Sequence, residues 1–186
     1  LAQGREAIVL VPEISLTPQM VNRFKARFGD RVAVMHSRLS QGERYDEWRM
    51  IRDGKVSVVV GARSAIFAPF TNLGLIIIDE EHESSYKQEE TPRYHTRDVA
   101  MKRAEYHKGV VVLGSATPAM ESYDLAQRGK IGLLTMLKRV GDSPLPSTLI
   151  VDMREELRDG NRTMFSRQLS QAIQERLERK EQIVIF

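Results

Sequence analysis

The sequence predicts an α/β protein built on a mainly parallel sheet, and three observations carry that prediction. Short apolar runs alternate with amphipathic stretches along the chain, the rhythm of strand–helix–strand units. Leu75–Ile78 is apolar at every position, as expected of a strand covered on both faces. The amphipathic stretches also carry helix start and stop signals at their ends.

Taken in order, strands are expected at Ala7–Val11, Val32–Met35, Val56–Val60, Leu75–Ile78, Val110–Leu113, Ile131–Leu137, Thr148–Val151 and Ile183–Phe186. Thr17 and Pro18 supply an N-cap and a first-turn proline. Met20, Val21, Phe24 and Phe28 then form one apolar face that ends at Gly29. Ser40 with Glu43 reads as a capping box opening a helix through Trp48 and Ile51 to Gly54. Further helices are expected from Thr96 to Gly109, from Pro118 to Gly129, and from a Ser166 cap to Lys180. Gly141–Ser147 holds two prolines and a glycine and breaks both periodicities, so it is the best linker. Residues 1–142 therefore read as one domain, 143–147 as a linker and 148–186 as the opening of a second. The ends read as a helix terminus and a strand interrupted, as in a segment of a longer protein.

Composition narrows the field. The chain of 186 residues has 41% hydrophobic and 28% charged residues, ordinary for a globular protein able to bury one good core. It has no cysteine, which rules out a disulfide framework or a cysteine zinc site within it. No apolar run approaches the ~20 residues of a membrane span. Net charge is +3, and residues 143–186 contribute nothing to it, with seven Lys/Arg against seven Asp/Glu. The basic excess lies in residues 1–142 and permits a polyanionic partner.

Five segments carry candidate chemistry. Asp79, Glu80, Glu81 and His82 follow the apolar run directly, and ligand sites of parallel sheets gather where strands end. Asp79 there could hold a hydrated Mg²⁺ beside nucleotide phosphates, with Glu80 orienting or deprotonating a water. The plain alternative is a strand ending in solvated acids. Gly114–Pro118 places the hydroxyls of Ser115 and Thr117 after another buried strand, within reach of Asp79 and His82 if the strands are neighbours; otherwise Thr117 caps a helix. Val11–Gln19, with Ser15, Thr17 and Gln19, and Gly61–Ala65, with Arg63 and Ser64, are strand exits suited to phosphate contact. Glu81–Val99 is long and polar, and it interleaves Tyr86, Tyr94 and His95 with Lys87, Arg93 and Arg97. Stacking aromatics among cations is the logic of a single-strand contact. Glu83, Glu89 and Glu90 favour instead a solvated loop whose tyrosines pack on the core. A phosphate-cradling GxxxxGK[ST] loop does not occur in the chain.

In this order, the segments resemble those of superfamily-two DNA helicases of the DEAD/DEAH kind. Asp79–His82 resembles the Walker B box (motif II), Gly114–Pro118 motif III, Val11–Gln19 motif Ia and Val60–Phe70 motif Ib. Val11–Gln19, Val60–Phe70, Asp79–Ala100 and Leu113–Ser122 together are similar in particular to the replication-restart branch, the Tyr/Arg stretch being the most specific part. The resemblance implies a RecA-like helicase lobe without its P-loop in 1–142, and the start of a second RecA-like lobe in 148–186. It implies Asp79 on the Mg²⁺ of MgATP, Glu80 as activator of the hydrolytic water, and His82 with them. Ser115 and Thr117 would relay nucleotide state. Ser15, Thr17, Gln19, Arg63 and Ser64 would meet the DNA backbone, and Tyr86, Lys87, Arg93, Tyr94 and Arg97 would form an aromatic-rich DNA loop. It further implies 3′→5′ unwinding at stalled forks and loading of the primosome. Forked and single-stranded DNA, single-strand DNA-binding protein and other primosome proteins are the expected partners, in the cytoplasm at the nucleoid. The P-loop is expected upstream, and an arginine finger and zinc-binding cysteines downstream, so the isolated chain is expected not to hydrolyse ATP. Another superfamily-two translocase of repair or restriction, or a non-catalytic DNA-binding scaffold, are the competing readings.

Overall fold

The computed structural model describes residues 1–137 and 146–186. Their contacts divide the chain into two compact units, Leu1–Leu133 and Leu134–Phe186. Positions 143–145 of the expected linker lie outside the described residues.

The first unit is organised by a parallel sheet. Its strands are β1 (Glu6–Leu10), β2 (Val32–Met35), β3 (Val58–Gly61), β4 (Leu73–Ile78) and, after a short antiparallel pair β5 (Lys87–Gln88) and β6 (Tyr94–His95), β7 (Val110–Leu113). The five long strands run parallel in the order β2-β3-β1-β4-β7. Their register is level: Met35 pairs Gly61, Gly61 pairs Leu10, Leu10 pairs Ile78 and Ile78 pairs Leu113. All five therefore release their chains at one edge, and the four candidate segments that directly follow strands emerge there.

Helices α1 (Pro18–Phe28), α2 (Gln41–Arg52), α3 (Thr96–His107) and α4 (Met120–Gln127) complete the unit. On one face Ile8, Leu10, Val59, Ile76 and Ile78 pack with Ile51 of α2 and with Ala100 and Ala104 of α3. On the other, Val9, Val34, Val58 and Val60 pack under Met20, Val21, Phe24 and Phe28 of α1. That second layer does not extend across the sheet. Val110 of β7 is 60% exposed, and Val112 is exposed as well.

The expected caps at Thr17 and at Ser40–Glu43 are formed. The third helix starts at Thr96 as expected, while its end and the start of the fourth differ from the expectation. α3 is capped by His95, whose Nδ1 accepts from Arg97 N at 3.2 Å; burial, then Arg97, holds this imidazole below its usual pKa, keeping it an acceptor. α3 ends on Lys108 in the left-handed region, one residue before Gly109. α4 begins at Met120 after an Ala119 N-cap rather than at Pro118, and no side chain of its own caps it.

In the second unit α5 (Met153–Arg158), unforeseen in the sequence, precedes α6 (Arg167–Glu178), which Ser166 caps as expected. Glu156 joins them: its carboxylate accepts from Arg167 N at 2.8 Å and from Asn161 Nδ2 at 2.7 Å. These bonds and the Arg167 guanidinium bring its pKa to about 2. Ile131–Leu137, Thr148–Val151 and Ile183–Phe186 are not strands. A strand needs a neighbour for its ladder, and none of the described segments pairs with them.

Gly61 is the tightest point of the sheet edge. A Cβ there would lie 2.2 Å from Met35 O and 2.6 Å from the Ala65 Cβ, and a backbone oxygen in a sheet cannot step aside. Gly61→Ala is expected to lower unfolding stability by about 1–3 kcal/mol, measured by urea denaturation. Gly42→Ala, with nothing within 4 Å, should be neutral or slightly stabilising. Equal losses from the two would contradict this packing.

Candidate functional site

The site starts where β4 runs out of apolar residues. Asp79 N donates to Leu10 O at 2.9 Å, extending the ladder by one bond and fixing where the side chain emerges. Asp79 is exposed, and among the described residues its carboxylate makes no hydrogen bond or ion pair. On the adjoining strand end, Gly114 leaves space beside it, since a Cβ there would sit 3.6 Å from Asp79 Oδ1. An exposed, uncommitted carboxylate beside open space fits a hydrated cation such as Mg²⁺, which binds proteins through one or two carboxylates and keeps much of its water.

Glu80 adopts φ +47. A non-glycine residue there carries strain of about 1–3 kcal/mol, and such strain persists only where the surroundings enforce it. Here Glu83 N donates to Glu80 O at 2.9 Å and Glu81 N to Gly114 O at 3.0 Å. Glu80 Oε2 lies 3.6 Å from His82 Nδ1. The same nitrogen is 2.7 Å from Ser115 Oγ. Ser115 Oγ already accepts from Thr117 N at 3.0 Å, so its hydrogen is available to His82 Nδ1. The expected neighbourhood of Asp79, Glu80, His82 and Ser115 is thus present because β4 and β7 are adjacent. Thr117 is exposed and touches the group only through its backbone.

The Tyr/Arg stretch is knitted into the fold. Tyr86 is 1% exposed; its hydroxyl donates to Asp79 O at 2.7 Å, and Thr96 Oγ1 donates to Tyr86 O at 2.8 Å. Burial, then the carboxylates of Asp79, Glu83 and Glu80, raise the phenol pKa above its ordinary value. The expectation that Tyr86 stacks on a base is corrected: the ring is inside the core. Arg63 Nη1 donates to Ser85 O and Lys87 O at 3.1 and 2.6 Å. Arg97, with its side chain 13% exposed, donates from Nη1 to Ser122 Oγ at 3.0 Å. Both guanidiniums, expected on phosphate, are turned to protein oxygens here.

The outward set is smaller. Gln19, Ser64, Lys87 and Arg93 are exposed, Ser15 is half-buried, and Thr17 is exposed with its hydroxyl accepting from Met20 N. Lys87 pairs with Glu89 at 2.9 Å, and Arg93 Nε donates to Glu89 O. Tyr94 is half-buried and meets Phe67 edge to face at 5.2 Å. Phe67, 54% exposed, is an aromatic that the sequence reading passed over; a bulky apolar residue in a turn after a strand was its only signal.

Together the level parallel sheet and the Asp–Glu–x–His group facing a Ser-x-Thr turn define an α/β lobe with an acidic site at its strand exits. The chain matches the DEAD/DEAH box helicase family over residues 1–125 and belongs to it. Over its whole length it is similar to the replication restart protein PriA of Bacillus subtilis, at 66% identity, and of Synechocystis, at 51%. It spans 23% of each of those relatives, about a quarter of their length. Among solved structures, the C-terminal domain of the DEAD-box protein Dbp5 aligns with 68% of this chain and 72% of its own, at 17% identity and TM-score 0.46.

Tyr86→Phe should cost about 0.5–1.5 kcal/mol, the worth of one hydrogen bond, and Tyr86→Ala about 3–5 kcal/mol, in urea unfolding. An unchanged midpoint for Tyr86→Ala would place the ring outside the core.

Proposed function

We propose that the chain is the central part of an ATP-driven DNA helicase that acts in replication restart. The observation that carries this reading is the Asp79–Glu80–His82–Ser115 group at the mouth of two adjacent parallel strands. In it, Asp79 would hold the hydrated Mg²⁺ that accompanies ATP, which would supply charge stabilisation at the phosphates. Glu80 takes the proton of the attacking water, and His82, bonded to Ser115, passes the state of the site to the β7 exit. MgATP supplies the phosphoryl group under attack. The reacting phosphates need a cradle of backbone donors, which the reading assigns to the longer protein. The bare apolar face of β7 at Val110 and Val112 supports that assignment, because a further strand and helix would cover it.

DNA would run over the strand exits carrying Ser15, Thr17, Gln19 and Ser64, with Lys87, Arg93 and Tyr94 beside them. The similarity to PriA supports a role in replication restart, and 3′→5′ unwinding, action on forks and loading of the primosome are the finer parts of the same proposal. Single-strand DNA-binding protein and other primosome proteins would be its partners, with zinc held in a downstream part of the longer protein and a cytoplasmic, nucleoid-associated setting.

In the full-length protein, Glu80→Gln should lower DNA-stimulated ATP turnover by about 10²–10⁴-fold, the usual weight of a general base, with DNA affinity largely kept. The isolated 186-residue chain should show no DNA-stimulated turnover. Full turnover by Glu80→Gln would remove Glu80 from the chemistry, and turnover by the isolated chain would remove the need for an outside phosphate cradle.

A further inference from the structure

Of the three consecutive acids, Glu81 has no part in the chemistry above, and it alone points inward, at 3% exposure. A buried carboxylate is costly unless its lone pairs are satisfied, and this one is satisfied entirely from across the β7 exit. Its Oε1 accepts from Ala119 N at 2.6 Å, and its Oε2 accepts from Ser122 Oγ at 2.8 Å. Ser122 is itself buried and accepts from Arg97 Nη1 at 3.0 Å, which directs its own hydrogen to Glu81. The carboxylate thereby caps α4, which lacks a capping side chain of its own. Its backbone N–H is bound as well, to Gly114 O.

The residue just before this anchored position is Glu80, held at φ +47. A left-handed non-glycine residue relaxes toward ordinary conformations unless its neighbours are pinned. The pins are Tyr86 on Asp79 O, on one side, and Glu81 with its three bonded atoms, on the other. We propose that Glu81 is a positioning residue: tied to Ala119 and Ser122, its carboxylate clamps the turn that aims Glu80 at the reacting water. Ser122 and Arg97 hold the clamp in shape. Its job is to set the direction of Glu80, not to touch nucleotide. The proposal rests on Glu80 having the role given above.

The test uses full-length protein at saturating single-stranded DNA, with steady-state ATP turnover and circular dichroism as readouts. Glu81→Ala should lower kcat at least tenfold while KM for ATP stays within threefold. Glu81→Gln, which keeps an oxygen for the α4 cap, should restore kcat to within threefold of the parent. Ser122→Ala should fold and lower kcat about threefold at unchanged KM. Unchanged kcat in Glu81→Ala would overturn the proposal, as would equal losses from Ala and Gln, or a rise in KM alone. Should Glu81→Ala fail to fold, Ser122→Ala decides, with an unchanged kcat overturning the clamp. Glu80→Gln is the control for the reading beneath it. If that variant keeps full turnover, the role of Glu80 fails; if it loses turnover while the Glu81 and Ser122 variants keep theirs, only the clamp fails.

Discussion

Level termination of five parallel strands is the constraint on which the rest depends. Because Met35, Gly61, Leu10, Ile78 and Leu113 lie in one register row, every strand exit opens on the same edge. The acids after β4 meet the hydroxyl of Ser115 after β7 without any long loop to bring them together. Gly61 shows how tight the row is, since even a methyl group would strike the neighbouring strand's carbonyl. A shift of one residue in β7 would turn Val111 and Leu113 out of the core and separate Ser115 from His82.

The site uses its three acids in three different ways, and the difference is one of surroundings. Asp79 faces open space with its carboxylate uncommitted. Glu80 stands in a strained turn beside His82. Glu81 is buried and spent on Ala119 and Ser122. The proposed chemistry needs the first two accessible, and accessibility leaves them loosely held; in the proposed clamp the third acid and Tyr86 supply the rigidity from beneath. The same division runs through the Tyr/Arg stretch, where Tyr86 ties it to the end of β4, Arg63 to the turn after β3 and Arg97 to α4, leaving Lys87 and Arg93 toward solvent.

Much of this was legible in the sequence, and the omissions have physical causes. Continuous β-branched runs located all five long strands, and local side-chain signals located the caps at Thr17, Ser40 and Ser166, because those features act within a few residues of themselves. The neighbourhood of motif-like segments followed once parallel pairing was assumed. What failed was anything whose partner is a distant backbone atom. A tyrosine among cations looks like a stacking residue, and nothing local says that its hydroxyl will find the carbonyl of Asp79. Arg63 and Arg97 look like phosphate ligands for the same reason. Glu81 looks like its neighbours until the fold brings Ala119 to it. Apolar runs at 131–137, 148–151 and 183–186 carry strand periodicity, but periodicity does not supply a neighbouring strand.

The central claim is that the end of β4 is half of a nucleotide site whose other half belongs to the longer protein. A crystal structure of the full-length protein with Mg²⁺ and a non-hydrolysable ATP analogue tests it most directly. Expected are Asp79 in the shell of the metal, Glu80 facing the terminal phosphate, and a new strand paired along the open edge of β7 with the phosphates at its exit. Nucleotide bound away from Asp79 and Glu80, or a β7 edge left bare in the complex, would contradict it.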